Sequence, residues 1–172
     1  MNSIQSFWGR AQELKLLGKI RKKRSASFVT VTGRRRIGKS RLIQEFAQSH
    51  GKFFKFQGLF PNKGITRQDQ LQEFADDLSK QFNAPKMRFE TWTQAFNELA
   101  LRTQKLKCVI LLDEISWMAH DDPLFSSQLQ KVWNTEFTSN SKLILVVCGS
   151  VSSWIEDNVI QNGVVVGADG FG

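Results

Sequence analysis

The run Gly33-Arg34-Arg35-Arg36-Ile37-Gly38-Lys39-Ser40 reads G-x-x-x-x-G-K-[ST]; an apolar stretch, Phe28-Val29-Thr30-Val31-Thr32, precedes it and a helical pattern follows. Strand, tight loop and helix in that order leave few folds open. Gly33 and Gly38 allow positive φ and close approach of an anion, so successive backbone N–H groups of the loop can converge on the β-phosphate of a nucleotide. Lys39 suits the β- and γ-phosphates. Ser40, opening the helix, offers a hydroxyl to Mg²⁺, and the helix N-terminus adds partial positive charge. The predicted nucleotide-binding residues here run from Gly33 through Arg34, Arg35, Arg36, Ile37, Gly38, Lys39 and Ser40 to Arg41.

Strand and helix patterns alternate along the chain. Leu14, Leu16, Leu17 and Ile20 recur at helical spacing over 10–20, and Leu42, Ile43 and Phe46 do so over 39–49. Lys52 to Phe56 reads as a strand between Gly51 and Gly58, followed by a loop through Pro61 and Gly64 and a helix from Arg67 to Phe82. Pro85 separates this from a helix near Phe89 to Gln104. Val109 to Leu112 is continuously apolar, as in a strand covered on both faces. A helix from Leu124 to Phe137 is predicted with Asp121 or Asp122 as its cap and Pro123 in its first turn. Leu143 to Cys148 is the last strong strand, with a short helix expected over Val151 to Asp157. This order predicts an α/β fold, a three-layer α/β/α P-loop NTPase with a mainly parallel sheet. Residues 1–158 form its core. The Gly-rich tail 159–172 is either where the fold breaks off or a loop with a short edge strand.

Ligands in such sheets bind beyond the carboxyl ends of the strands. Asp113-Glu114 and Ser150 lie at two of those ends, which groups them with the loop as one site. Asp113 suits Mg²⁺ through water and can accept from Ser40. Glu114, one residue on, is placed to polarise an attacking water, and Ser150 to hydrogen-bond the γ-phosphate. The predicted catalytic residues are therefore Glu114, Lys39 and Ser150, and the metal ligands Ser40 and Asp113.

The chain has 172 residues and a formal charge of +8, with much of the excess in Lys19, Arg21, Lys22, Lys23, Arg24 and the three loop arginines. The Lys19 to Arg24 run reads first as a solvated helix end whose cations favour the negative C-terminal dipole, and second as a contact for nucleic acid. Cys108 and Cys148, the only cysteines, fall in apolar runs and read as small buried hydrophobes in a reducing compartment. His50 and His120 read as surface residues. The first residues, Met1 to Trp8, lack a charged and then apolar leader pattern, and no apolar run approaches the membrane-spanning length of about 18 residues, so a soluble cytoplasmic protein without a membrane partner is expected.

Phe7-Trp8-Gly9-Arg10 with Glu13-Leu14 and Leu17, then Val31 to Ser40, Leu111-Leu112-Asp113-Glu114-Ile115-Ser116-Trp117-Met118, and Cys148-Gly149-Ser150 together resemble the prokaryotic AAA+ ATPases with a GRRRxGK loop, relatives of the archaeal ATPase and STAND groups. The resemblance implies ATP binding and slow Mg²⁺-dependent hydrolysis, with Gly9 and Arg10 near the adenine, Asp113 and Glu114 as the second acidic motif and Ser150 near the sensor-one position. It further implies a nucleotide switch that reports to a protein partner or C-terminal output domain, and nucleotide-dependent oligomers. The family's helical lid does not fit within this length. Residues 162–172 hold no arginine where relatives show one; since an arginine finger is worth about 10³ to 10⁵ in rate, binding is expected to exceed turnover.

Other readings are a small-molecule P-loop kinase, which shares the loop but is disfavoured by the acidic pair, and a basic DNA- or RNA-binding module with a structural nucleotide site. A guanine-specific Asn-Lys-x-Asp motif is missing, since Asn62-Lys63-Gly64-Ile65 lacks the aspartate. In competition binding, ATP is expected to displace a labelled nucleotide at lower concentration than GTP. The reverse order would contradict an adenine site.

Overall fold

In the computed structural model, residues 15–32, 38–120, 122–149, 158 and 164–167 are described, with the backbone alone at 32, 39 and 164–167. Helix α1 covers residues 15–21. The chain then runs β1 (Ser27–Thr32), α2 (Lys39–His50), β2 (Lys52–Gln57), α3 (Arg67–Gln81), α4 (Trp92–Thr103), β3 (Cys108–Asp113), α5 (Ile115–Ala119), α6 (Phe125–Thr135), a 3₁₀ turn (Phe137–Ser139), β4 (Leu143–Gly149) and β5 (Val164–Gly167). Among the described residues, the strands form one five-stranded sheet of order β2-β3-β4-β1-β5. Every pairing is parallel. The predicted α/β/α sandwich is thus the observed fold, and Val164–Gly167 is an edge strand in register with Val29 to Thr32.

Alternation along each strand divides the core in two. Phe54, Phe56, Cys108, Ile110, Leu112, Leu143, Leu145 and Val147 point to one face and pack under α3, α4 and α6. Val29, Val31, Val109, Leu111, Ile144, Val146 and Cys148 point to the other, under α1 and α2. Successive side chains of a strand face opposite sides, so a sheet covered on both must be apolar throughout. β3 and β4 are indeed buried at every position. In this environment desolvation pushes the Cys108 thiol up to about 12, which makes it an inert packing group.

The larger core is aromatic. Trp92 is fully buried, edge-on to Phe74 and Phe125 with centroids 5.4 and 5.0 Å away, and stacked on Phe96 at 5.3 Å. On the β2 edge, where backbone groups would otherwise stay unpaired, Gln81 of α3 receives the Lys55 N–H at 3.0 Å and donates to the Lys55 carbonyl at 2.9 Å. Gln70 grips Leu59 in the same way, at 2.8 and 2.9 Å.

Several expected boundaries move. α3 begins where expected because Thr66 and Asp69 form a reciprocal capping box. α4 starts three residues later than Phe89, since the Thr91 side chain accepts from the Gln94 N–H at 3.2 Å and Glu90 N–H bonds the Gln94 side chain at 2.8 Å. Pro123 lies in the turn before α6 rather than in its first turn, and Asp122 accepts from the Leu124 N–H at 2.9 Å while its other oxygen pairs with Arg67 at 2.7 Å. The short α5 was not anticipated at all. The helix expected over Val151 to Asp157 and the Asp121 cap lie outside the described residues. His50 is buried, not on the surface, and His120 is half-buried in a left-handed conformation.

Trp92→Ala should lower unfolding free energy by about 3–5 kcal/mol in urea denaturation. Trp92→Phe should cost clearly less, because the buried indole N–H has no hydrogen-bond partner among the described residues.

Candidate functional site

The parallel register aligns the carboxyl ends of the strands. Thr32 stands opposite Gly149, and Gln57 opposite Asp113. From this edge β1 leaves toward the glycine loop, and α2 returns from it. Gly38 occupies the left-handed region (φ 75°, ψ 33°) at the N-cap of α2, which accounts for glycine there. Its carbonyl accepts from the Leu42 N–H at 3.0 Å, closing the first turn.

Ser40, in that first turn, donates through its hydroxyl to Oδ2 of Asp113, the last residue of β3. This bond joins segments 73 residues apart in the chain. Asp113 is buried, and its other oxygen, Oδ1, accepts from the Glu114 N–H at 2.9 Å. Lys55 of β2 brings its ammonium to 3.7 Å from Asp113 Oδ2. The carboxylate is thus held between a hydroxyl, a backbone donor and a cation.

Glu114 is also buried, and it has φ 50° and ψ 54° at the N-cap of α5. A left-handed conformation in a non-glycine residue costs on the order of 1–3 kcal/mol, which the surroundings must enforce. They do so by close packing. The Glu114 carbonyl accepts from Trp117 N–H at 3.0 Å and Met118 N–H at 3.1 Å, and Gly58 N–H donates to the Asp113 carbonyl at 3.0 Å. Gly58 lies so close that a Cβ there would sit 2.7 Å from the Glu114 carbonyl and 2.5 Å from Met118 N.

The structure therefore brings Ser40, Asp113 and Glu114 together at one edge, with Gly38 at the mouth of the loop. Arg41 is largely exposed and pairs with Glu45 at 3.8 Å, one turn along α2. Gly9, Arg10, Gly33, Arg34, Arg35, Arg36, Ile37 and Ser150 lie outside the described residues, as does the side chain of Lys39. Lys55 was missed by sequence reading. It sits in a strand whose other residues suggested only packing, and its proximity to Asp113 arises from β2–β3 pairing. Ser40 and Asp113 supply only oxygen donors, the type a hard cation such as Mg²⁺ takes while keeping several waters.

Residues 7–169 match the family model for an ATPase domain predominantly from Archaea. The chain belongs to that family. This ATPase domain is 26% identical over 157 residues to the uncharacterized protein MJECL04 of Methanocaldococcus jannaschii, a match covering 90% of the domain and 32% of that protein. In structure it is similar to the ORC2 protein of Aeropyrum pernix, solved in ADPNP–ADP complexes, with a TM-score of 0.62 and 15% identity over 92% of the domain and 47% of that chain. It is also similar to Cdc6p of Pyrobaculum aerophilum, with a TM-score of 0.61 and 16% identity over 91% of the domain and 44% of that chain. The ATPase domain thus spans about a third of the curated relative and under half of each solved chain. Among the described residues, no helix is long and apolar enough to cross a membrane.

Gly58→Ala should force the Glu114 turn away from β2, lowering stability by about 1–3 kcal/mol in urea unfolding. An unchanged unfolding midpoint would mean that the contact yields without cost.

Proposed function

We propose that this chain binds ATP with Mg²⁺ at the carboxyl edge of the sheet, hydrolyses it slowly, and acts as a nucleotide switch for a protein partner or a C-terminal output domain. The observation that carries this reading is the Ser40–Asp113 hydrogen bond. It couples the first turn after a glycine-lysine loop to a buried acid at a strand tip, in a chain that belongs to an ATPase family. Bound Mg²⁺ supplies charge neutralisation on the β- and γ-phosphates.

In this reading the backbone from Gly33 to Gly38 cradles the phosphates, Lys39 carries positive charge to them, and Ser40 and Asp113 hold the metal. Arg34, Arg35, Arg36 and Arg41 add positive potential around the phosphates, while Gly9 and Arg10 flank the adenine. Glu114 takes the proton of an attacking water as general base. Its rigid left-handed turn sets the carboxylate's position in advance of binding. Ser150, directly after β4, hydrogen-bonds the γ-phosphate. Nucleotide state reaches a partner through the segments that follow Asp113 and Ser150, because both begin at groups facing the γ-phosphate.

Two substitutions separate binding from chemistry. Lys39→Ala should weaken Mg-ATP binding at least about tenfold by isothermal titration, through loss of a charge-assisted phosphate contact. Glu114→Gln should leave that affinity within about twofold while cutting ATP turnover by about 10² to 10⁴. Equal affinities of wild type and Lys39→Ala would exclude the loop as the phosphate site, and full turnover in Glu114→Gln would exclude it as the base.

A further inference from the structure

At the opposite, amino edge of the sheet lies a cleft of about 420 Å³, lined chiefly by Arg21, Lys23, Arg24, His50, Lys107 and Lys142. That volume falls within the roughly 300–1,000 Å³ typical of small-molecule sites. The side chains come from four places: the end of α1 and its following loop, the end of α2, the approach to β3 and the approach to β4. Among the described residues, no carboxylate lines it.

The cleft is held together by its own bonds. Lys107 is fixed by its carbonyl, which accepts from Lys52 N–H at 3.0 Å and lies where a Cβ on Gly51 would come within 2.2 Å. Buried Asn140 donates to the Leu106 carbonyl at 2.7 Å and accepts from Lys142 N–H at 3.0 Å, tying the two lysine-bearing loops to each other. Arg21 donates to the Ser49 hydroxyl at 2.7 Å. Part of this charge serves the negative C-terminal ends of helices that finish at this edge, each equivalent to about half a charge. Arg21 does reach the Ser49 carbonyl at 3.4 Å, but the Lys23, Arg24, Lys107 and Lys142 side chains make no hydrogen bond or ion pair among the described residues. Four cationic side chains thus line the cleft with no partner among the described residues.

His50 lies among them and is buried at 6% exposure. Its Nε2 is 3.0 Å from the Lys142 carbonyl, an acceptor, so Nε2 carries the hydrogen. Nδ1 is then a lone pair in the neutral ring, and it has no hydrogen-bond partner among the described residues. We infer that this cleft is a second anion site, separate from the nucleotide loop, which takes inorganic phosphate or a small phosphomonoester with His50 and the anion sharing one proton. The sharing selects the ligand class. A phosphomonoester has a second pKa near 6 and carries a proton part of the time around neutral pH, whereas a phosphodiester has none to share. In the free protein, burial together with the nearby Lys107 and Arg21 charges lowers the His50 pKa from its ordinary value. A bound dianion opposes that field and favours the protonated ring. The charged groups near His50 are Arg21 of α1 and Lys107 before β3, while Lys142 before β4 meets the ring through its carbonyl and Phe46 of α2 stacks on it at 6.0 Å; the three cationic side chains favour an anion as ligand.

The chain has two histidines, so imidazole resonances assign readily, and their pH titration by NMR tests the site in the whole chain. Inorganic phosphate should raise the His50 midpoint by about one unit, a tenfold change in proton affinity, relative to sodium chloride at matched ionic strength. The shift should persist in Lys39→Ala, since Lys39 lies at the far end of α2, about 17 Å from His50 at 1.5 Å per residue. In the double variant Lys107→Gln/Lys142→Gln, whose altered side chains are exposed, phosphate should bind about fivefold more weakly or worse. An equal shift with chloride, no shift, or a shift lost in Lys39→Ala would overturn the inference. So would a duplex oligonucleotide without terminal phosphates that moved His50 at lower concentration than phosphate, since the edge would then be a track for nucleic-acid backbone.

Discussion

A parallel sheet covered on both faces has no room for polar chemistry except at its two ends, and this constraint organises the whole chain. β3 and β4 are buried at every residue, so in these central strands charge appears only where the strand stops, and an interior charge such as Lys55 is confined to the edge strand β2. At the carboxyl edge β3 stops in Asp113-Glu114, and at the amino edge the strands are entered through Ser25, Lys107 and Lys142. One edge therefore presents buried acids, and the other a cationic cleft.

Rigidity at the acidic edge comes from close approach. Gly58 has no Cβ because the Glu114 carbonyl and the start of α5 occupy that space, and the same contact holds Glu114 in its left-handed turn. The general-base role proposed for Glu114 gains from this arrangement, since the cost of orienting the group is met during folding. Lys55 adds a counter-charge to Asp113, which helps a buried acid remain compatible with the fold.

Helix α2 connects the two edges. Ser40 stands in its first turn and His50 at its last residue, with Leu42, Ile43, Phe46 and Ala47 seating it on the sheet between them. A helix so seated moves as a unit. Its two ends are correspondingly fixed relative to the strands, Ser40 by Asp113 and His50 by the Lys142 carbonyl.

Much of this was legible in the sequence, because strand and helix periodicities and the acid after Leu112 follow local rules. The continuous apolar run from Cys108 to Leu112 announced a doubly covered strand, and G-x-x-x-x-G-K-S announced the turn into α2. What eluded local reading depended on partners distant in the chain. α5 is too short to show a period, and Pro123 was mistaken for a helical residue because Asp122 is engaged by Arg67 from α3. His50 looked like a surface residue at a helix end; burial against the β4 approach gives it another environment. The sequence by itself determined the α/β order, the two-faced core and the identity of the acidic pair, since these rest on neighbours a few residues apart. Only the tertiary structure decided that Lys55 meets Asp113, that Gly58 shapes Glu114, and that cations from three separate segments gather around one histidine. Sheet register and helix packing set those distances, and neither is encoded within any one segment.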